Sequence, residues 1–261
     1  MAGHSYKALK RSVGKALHHY GMLADGDRLA VGLSGGADSL TMMWFLKDRL
    51  PRVPIHYELL AVYIDPGFEE GFSDALARYC DAMGYSLRVE HTDYGPLSHS
   101  EQNRENPCFL CSRLRRKRLF EVANELGCRK LALGHNKDDI IETLFLNMCY
   151  AGEISTMLPV QPFFGGDFTV IRPLAFSDEE MIRRFAREMA FPEFINPCPS
   201  AATSRRAEIK AMLKTLYRSN RKIKGNIFRA MSRVKPDYLL QPGPKGMAPG
   251  VPDSVSRSMY R

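Results

Sequence analysis

No stretch of this chain approaches the ~18 consecutive apolar residues that would span a bilayer, so no membrane span is expected. Met1 to Tyr20 are basic and polar with no apolar signal core, so export is not expected and the setting is cytoplasmic. Cysteine is scarce. The six present (Cys80, Cys108, Cys111, Cys128, Cys149 and Cys198) then read as packed thiols, metal ligands or catalytic groups, not disulfides. Neither a Walker A loop nor a G-x-G-x-x-G fingerprint occurs, which excludes the commonest phosphate-binding turns. Acids are nearly missing from Thr203 to Lys235, where one, Glu208, faces eleven Lys and Arg. That segment's +10 exceeds the +8 of the whole chain, so the remainder is slightly acidic. A basic block on a near-neutral body suits a polyanionic partner, or else is a solvated tail.

What is present is a globular balance. Hydrophobic residues make up 44% and charged residues 25% of 261, which excludes wholesale disorder and fits one large domain with appendages. Apolar runs at 28–33, 57–64, 85–91, 129–133 and 169–172 read as strands. Segments 5–20, 40–50, 69–83, 108–126, 137–150 and 177–190 read as helices, the last opened by a capping box of Ser177 and Glu180. The alternation predicts an α/β fold, a doubly wound, mostly parallel sheet with helices on both faces. Four regions follow: a basic N-terminal helix (1–27), an α/β domain that holds the cysteines (28–200), a basic helical extension suited to a polyanion (201–237) and a disordered tail (238–261).

The sharpest motif is Ser34-Gly35-Gly36-Ala37-Asp38-Ser39, between an apolar strand and a helix. Two glycines let backbone approach a ligand, and amides at the helix start point at an anion. The hydroxyls of Ser34 and Ser39 would add donors, and Asp38 could hold Mg2+ between phosphate oxygens. A second strand-to-helix crossing, Gly134-His135-Asn136-Lys137-Asp138-Asp139, puts two acids at a helix opening, of which at most one is expected to face a nucleotide. Third, Cys108 and Cys111 lie on one helical face ahead of Arg113, Arg115 and Arg116, whose charge should favour thiolate. The pair alone reads as half a zinc site, a redox dithiol or part of an iron–sulfur site. The absence of a second C-x-x-C or an H-x-x-x-H disfavours zinc. Cys198, in the proline-stiffened Asn196-Pro197-Cys198-Pro199, is the best third ligand, whereas Cys80, Cys128 and Cys149 are expected to pack.

S-G-G-x-D-S after the first strand resembles the PP-loop of the ATP-pyrophosphatase superfamily. G-H-x-x-D-D and the ordered segments Pro66-Gly-Phe68, Pro107 to Arg116 and Val170-Ile-Arg172-Pro173-Leu174 resemble its tRNA 2-thiocytidine synthetase branch. The resemblance implies an adenine-nucleotide alpha hydrolase-like fold and an ATP-dependent sulfurtransferase. Such an enzyme adenylates an anticodon-loop cytidine carbonyl and replaces its oxygen with sulfur. It implies ATP contacts from Leu33, Ser34, Gly35, Gly36, Asp38, Ser39, Gly134, His135 and Asp139, with Mg2+ on Asp38. It also implies a 4Fe–4S cluster on Cys108, Cys111 and Cys198, an iron being left open for sulfur. Asp38 and the three cysteines are then the catalytic set. Transfer RNA would lie on Arg113, Arg115, Arg116, Arg205, Arg206, Lys210 and Lys214, with Tyr217 and Phe228 as candidate stacking rings. Sulfide or a cysteine desulfurase would donate sulfur, and a homodimer is left open. Two departures stand out: Ala37 replaces a common lysine, and Cys198 stands alone where many relatives carry C-x-x-C. Two rival readings are a lysidine-synthetase-like ligase, in which the cysteines are incidental, and a zinc-stabilised RNA-binding module without catalysis.

Overall fold

The computed structural model describes residues 3–200 and 205–240. The chain divides into two compact units, Met1–Ser219 and Asn220–Arg261. In the first, α1 (His4–His19), β1 (Asp27–Gly32), α2 (Ala37–Arg49), β2 (Tyr57–Asp65), α3 (Ser73–Ala82), β3 (Leu87–His91), α4 (Tyr94–Ser98), α5 (Pro107–Glu125), β4 (Lys130–Ala132), α6 (Lys137–Leu146), β5 (Val160–Phe163), β6 (Phe168–Ile171), α7 (Glu179–Glu188) and α8 (Arg205–Ser219) follow in order.

The strands form one sheet in the order β3-β2-β1-β4-β6-β5. Every pair is parallel except β5–β6. Side chains alternate across a strand, so Leu29 and Val31 of β1 join a core with α1, α2, α3 and α7, whereas Ala30 joins Val62, Leu131, Val170 and Val122 of α5. Both faces are thereby covered, which is why β1 and β2 read as continuous apolar runs. The fold is the expected doubly wound sheet. Its order reverses between β1 and β4, and the turns leaving those two strands face one crevice, the usual ligand position in such sheets.

Four local expectations differ. Regular helix in α6 stops at Leu146, and Asn147–Ala151 winds as a π-helical turn ended by Gly152 in the left-handed region. Cys149 lies in that turn and is exposed, not packed. Strand β5 was masked by Pro162, which an edge strand tolerates because only one side of it is paired. The capping box at Ser177 does not form. The buried Ser177 hydroxyl bonds the Ser12 hydroxyl at 2.7 Å, and α7 opens two residues later. A distant side chain caps it instead, with Asp138 Oδ2 accepting from the Glu179 amide at 2.9 Å.

The second unit contributes α9 (Ile223–Ala230) and a short 3-10 turn, Pro236–Tyr238. Of the expected tail, 238–261, Tyr238 closes that 3-10 turn, while 241–261 and the start of the basic extension, 201–204, lie outside the described residues. No helix among the described residues is long and apolar enough to cross a membrane.

The capping geometry makes a prediction about α7. Asp138→Ala should lower stability by about 1 kcal/mol, the usual cost of a lost cap, whereas Glu180→Ala should change it by less than about 0.5 kcal/mol. Urea unfolding midpoints of the two variants check this.

Candidate active site

The turn after β1 is built around Ser39. Its buried hydroxyl accepts from the Ser34 amide (3.1 Å) and the Ser34 hydroxyl (3.2 Å) and donates to the Gly36 carbonyl (3.0 Å). One donor and two lone pairs are thus all engaged. The expectation that Ser39 offers a donor to phosphate is therefore corrected: it is an internal strut of the loop. Leu33 likewise acts through its backbone, its amide bonding the Val62 carbonyl at 2.9 Å while its side chain is buried. Ser34 and Gly36 form the exposed rim. Gly35 lies beneath two rings, and its φ of +77° favours glycine. A Cβ there would stand 2.7 Å from Phe72 and 3.1 Å from Phe194, which are themselves stacked at 5.0 Å.

The second crossing docks against the first. A Cβ on Gly134 would come within 3.0 Å of the Ser39 amide nitrogen, so the absence of a side chain lets the two helix starts meet. Across this contact Asn136 Nδ2 donates to Asp38 Oδ1 at 2.8 Å. Asn136 Oδ1 meanwhile accepts from the Asp138 and Asp139 backbone amides, and Asp139 Oδ2 accepts from the Asn136 backbone amide at 2.9 Å, completing a capping box. Both acids of the motif are engaged in holding helix ends, Asp139 on α6 and Asp138 on α7.

Burial pushes the Asp38 carboxyl up to about 6. The Asn136 amide opposes this, and Asp139 and Glu179 add to it. Asp139 and Glu142 are also raised, chiefly by burial. Helix α8 packs on α6 and answers these acids. Arg206 Nη1 lies 3.2 Å from Glu142 and 3.5 Å from Asp139, and Lys210 Nζ lies 2.7 Å from Glu179. Of the seven residues expected on RNA, Arg206 and Lys210 therefore turn toward these carboxylates, and a third, Arg113, pairs with Glu105 at 3.1 Å. Arg205 lies 4.7 Å over the Tyr150 ring, and Lys214 is exposed. Tyr217 is half-buried, its hydroxyl raised by burial and then by Asp138, Glu142 and Asp178. Phe228 is half-buried in the second unit.

His135, beside Gly134, is held neutral. Burial first, then the charges of Arg172, Arg206 and Arg116, drive it down to about 3. Arg172 follows β6 directly and is buried, its guanidinium bonded to the Leu158 carbonyl and Gln161.

The cysteines occupy the start of α5 and the loop after α7. Asn106 caps α5, accepting from the Phe109 amide at 3.3 Å, and Pro107 opens it. Cys108 Sγ lies 4.0 Å from the Ser200 carbonyl, two residues past Cys198, and Ser200 Oγ is 2.8 Å from His99 Nε2. Burial raises the Cys108 and Cys111 thiols, and the charge of Cys198 raises both further, so the three share one electrostatic neighbourhood. The expected thiolate-favouring effect is limited to Arg115 acting on Cys111, and burial outweighs it. Neighbouring basic groups also have acidic partners: exposed Arg113 pairs with exposed Glu105, and the half-buried Arg118 pairs with Glu90, Glu121 and Glu125. Among the described residues, no three His, Cys, Asp or Glu groups are placed to share a single metal ion.

A PP-loop domain matches residues 5–213. The chain belongs to the PP-loop family. Among curated relatives, the tRNA-cytidine(32) 2-sulfurtransferase of Geobacter sulfurreducens is 40% identical over 90% of this chain and 93% of its own length. The protein of that name from Geotalea daltonii is 39% identical over 90% and 94%. Among solved structures, the U34-tRNA thiolase NcsA from Methanococcus maripaludis with its 4Fe–4S cluster superposes with a TM-score of 0.74. It is 29% identical and is matched over 88% of this chain and 78% of that one. An NH3-dependent NAD synthetase from Campylobacter jejuni, 15% identical with a TM-score of 0.51 over 91% of this chain and 95% of its own, shares the fold.

Sequence reasoning passed over Asn136, Glu142 and Arg172 in this PP-loop protein. Each carried a signal. Asn136 stands three residues before an acid, the pattern of a capping box. Glu142 and Arg172 are charges inside apolar runs, Ile140-Ile-Glu-Thr-Leu144 and Val170-Ile-Arg-Pro-Leu174.

The buried imidazole has a pH consequence. Below about 6.5 the unfolded chain takes up a proton that folded His135 refuses until about 3. Its contribution is therefore complete above 6.5 and declines as pH falls between those values. His135→Asn should flatten the acid side of the stability curve by up to about 1.4 kcal/mol per pH unit. Urea titrations at pH 7, 5.5 and 4.5 test it.

Proposed function

We propose that this PP-loop protein is an ATP-dependent tRNA sulfurtransferase acting on an anticodon-loop cytidine and giving 2-thiocytidine. One observation carries the reading: the Asp38–Asn136 bond joins the two nucleotide-facing turns, while on the same unit Cys108, at the start of α5 with Cys111, lies 4.0 Å from the Ser200 carbonyl, two residues past Cys198. The curated relatives' shared name and the thiolase superposition support it. A cytoplasmic setting supplies ATP, tRNA and reduced thiols together.

The chemistry follows from the chain's groups. The exposed rim of Ser34 and Gly36 at the start of α2 receives phosphates, and the helix N-terminus stabilises the charge that develops as pyrophosphate leaves. Asp38 would bind Mg2+. Its raised proton affinity reflects burial among other acids, a setting that favours a cation, and one carboxylate plus phosphate oxygens is an ordinary magnesium shell. The cytidine carbonyl oxygen attacks the α-phosphorus, forming a C–O–P link and expelling pyrophosphate. A sulfur at the sulfide level, HS−, then bonds to the same carbon, the C–O bond breaks, AMP departs and one proton is released, with no net oxidation or reduction. Cys108, Cys111 and Cys198 fit a 4Fe–4S cluster because a cubane needs one thiolate per iron, not three on one ion. Bound there, the cluster would supply an iron without a protein ligand for delivery of sulfur. Arg113, Arg115, Arg116, Arg205 and Lys214 would hold the tRNA backbone, with Arg206 and Lys210 instead holding α8 onto the acids of α6 and α7.

Anaerobic reconstitution with iron and sulfide, followed by ATP, Mg2+, sulfide and tRNA, should give 2-thiocytidine by nucleoside mass spectrometry, one AMP per thiolated base. Tightly bound iron without thiolation, or thiolation without iron, would sink the reading. Cys198→Ala should lose the absorbance near 400 nm and thiolation while still binding tRNA; a full iron complement in that variant removes Cys198 as a ligand. Asp38→Ala should lower ATP-dependent turnover at least ~100-fold, as loss of a metal-binding or charge-stabilising group does, with the Kd for tRNA within about twofold. Retained turnover would reduce Asp38 to a helix-end acid.

A further inference from the structure

Helix α5 carries two adjoining stripes. Cys108, Cys111 and Arg115 define one. Phe109, Ser112, Arg113 and Arg116 recur at i, i+3, i+4 and i+7 on the next, and all four are exposed. Phe109 is 58% exposed although it sits between the two cysteines, where an apolar ring is conspicuous. The Arg113 guanidinium lies 5.5 Å from the centre of that ring, and Glu105, at 3.1 Å, fixes the guanidinium in turn. Ser112 returns its hydroxyl to the Phe109 carbonyl at 3.0 Å. The ring is steadied by Arg113 of its own helix and otherwise stands largely in solvent among the described residues.

We propose that Phe109 is a base-stacking platform: a nucleobase of the tRNA loop, next to the cytidine being modified, lies on its free face while Arg113 and Arg116 meet the adjoining phosphates. This rests on the tRNA sulfurtransferase reading and adds a positioning residue to it. Three features favour a base over a protein side chain. The apolar ring stands among guanidinium groups, the charge is complementary to phosphate, and the ring borders the thiols at which the target must arrive. Single-stranded loops are recognised by splayed bases on aromatic or arginine planes, and Phe109 with Arg113 offers both.

The test uses the full chain, reconstituted anaerobically. Phe109→Ala should raise KM for tRNA about 10-fold, the usual effect of removing one stacking ring, with kcat and bound iron unchanged; Phe109→Trp should restore KM. In Phe109→Trp the new indole should be quenched by tRNA. The chain's single natural tryptophan, Trp44, packs on Phe45 and Phe185 and provides an unquenched wild-type control. Phe109→Leu, which keeps an apolar group without a π face, should behave like alanine. An unchanged KM in Phe109→Ala, with active wild-type enzyme, overturns the platform alone. A defect seen only with a protein sulfur donor, and not with free sulfide, assigns the ring to a protein contact and also overturns it. Failure of wild-type enzyme to thiolate tRNA removes the underlying reading and the platform with it.

Discussion

The close approach of two helix starts governs the site. Gly134 has no side chain to separate the turn after β4 from the turn after β1, and Asn136 uses the resulting gap to reach Asp38. One residue holds both ends together, since the oxygen of Asn136 caps α6 while its nitrogen fixes the carboxylate on α2. That carboxylate is consequently placed by the sheet order itself, because β1 and β4 are neighbours only where the order reverses.

Electrostatics extends this constraint outward. Asp38, Asp139, Glu142 and Glu179 would repel one another if left alone. Arg206 and Lys210, both from α8, face three of them. The basic stretch is thus not uniform. Its inward-facing members stabilise an acidic pocket, and those left in solvent are the ones available to a polyanion. His135 is kept neutral by burial first and then by the charges of Arg172, Arg206 and Arg116, so Arg206 acts on both the acids and the imidazole.

Much of this was legible in the sequence because it is local chemistry. The strand–glycine–helix pattern at Ser34–Ser39 fixes a turn regardless of context, and the alternating apolar runs specify a covered parallel sheet. Cys198 could be singled out because prolines flank it, although its approach to Cys108 depends on how the loop after α7 is laid down. Other features were not legible, each because a distant partner overrode a local preference. Ser39 looked like a ligand donor but bonds its own loop. Ser177 looked like a cap but found Ser12, and Asp138 capped a helix some forty residues away. Arg206 looked like an RNA contact but meets Glu142, a pairing that exists only once α8 packs on α6.

The ring of Phe194 resting on Gly35 fixes a distance as well as a contact. Cys198 is four residues on from Phe194, and a fully extended chain of four steps reaches about 14 Å. Cys198 is therefore on a short tether whose anchor is the turn after β1, so the loop after α7 cannot carry that thiol far from Gly35.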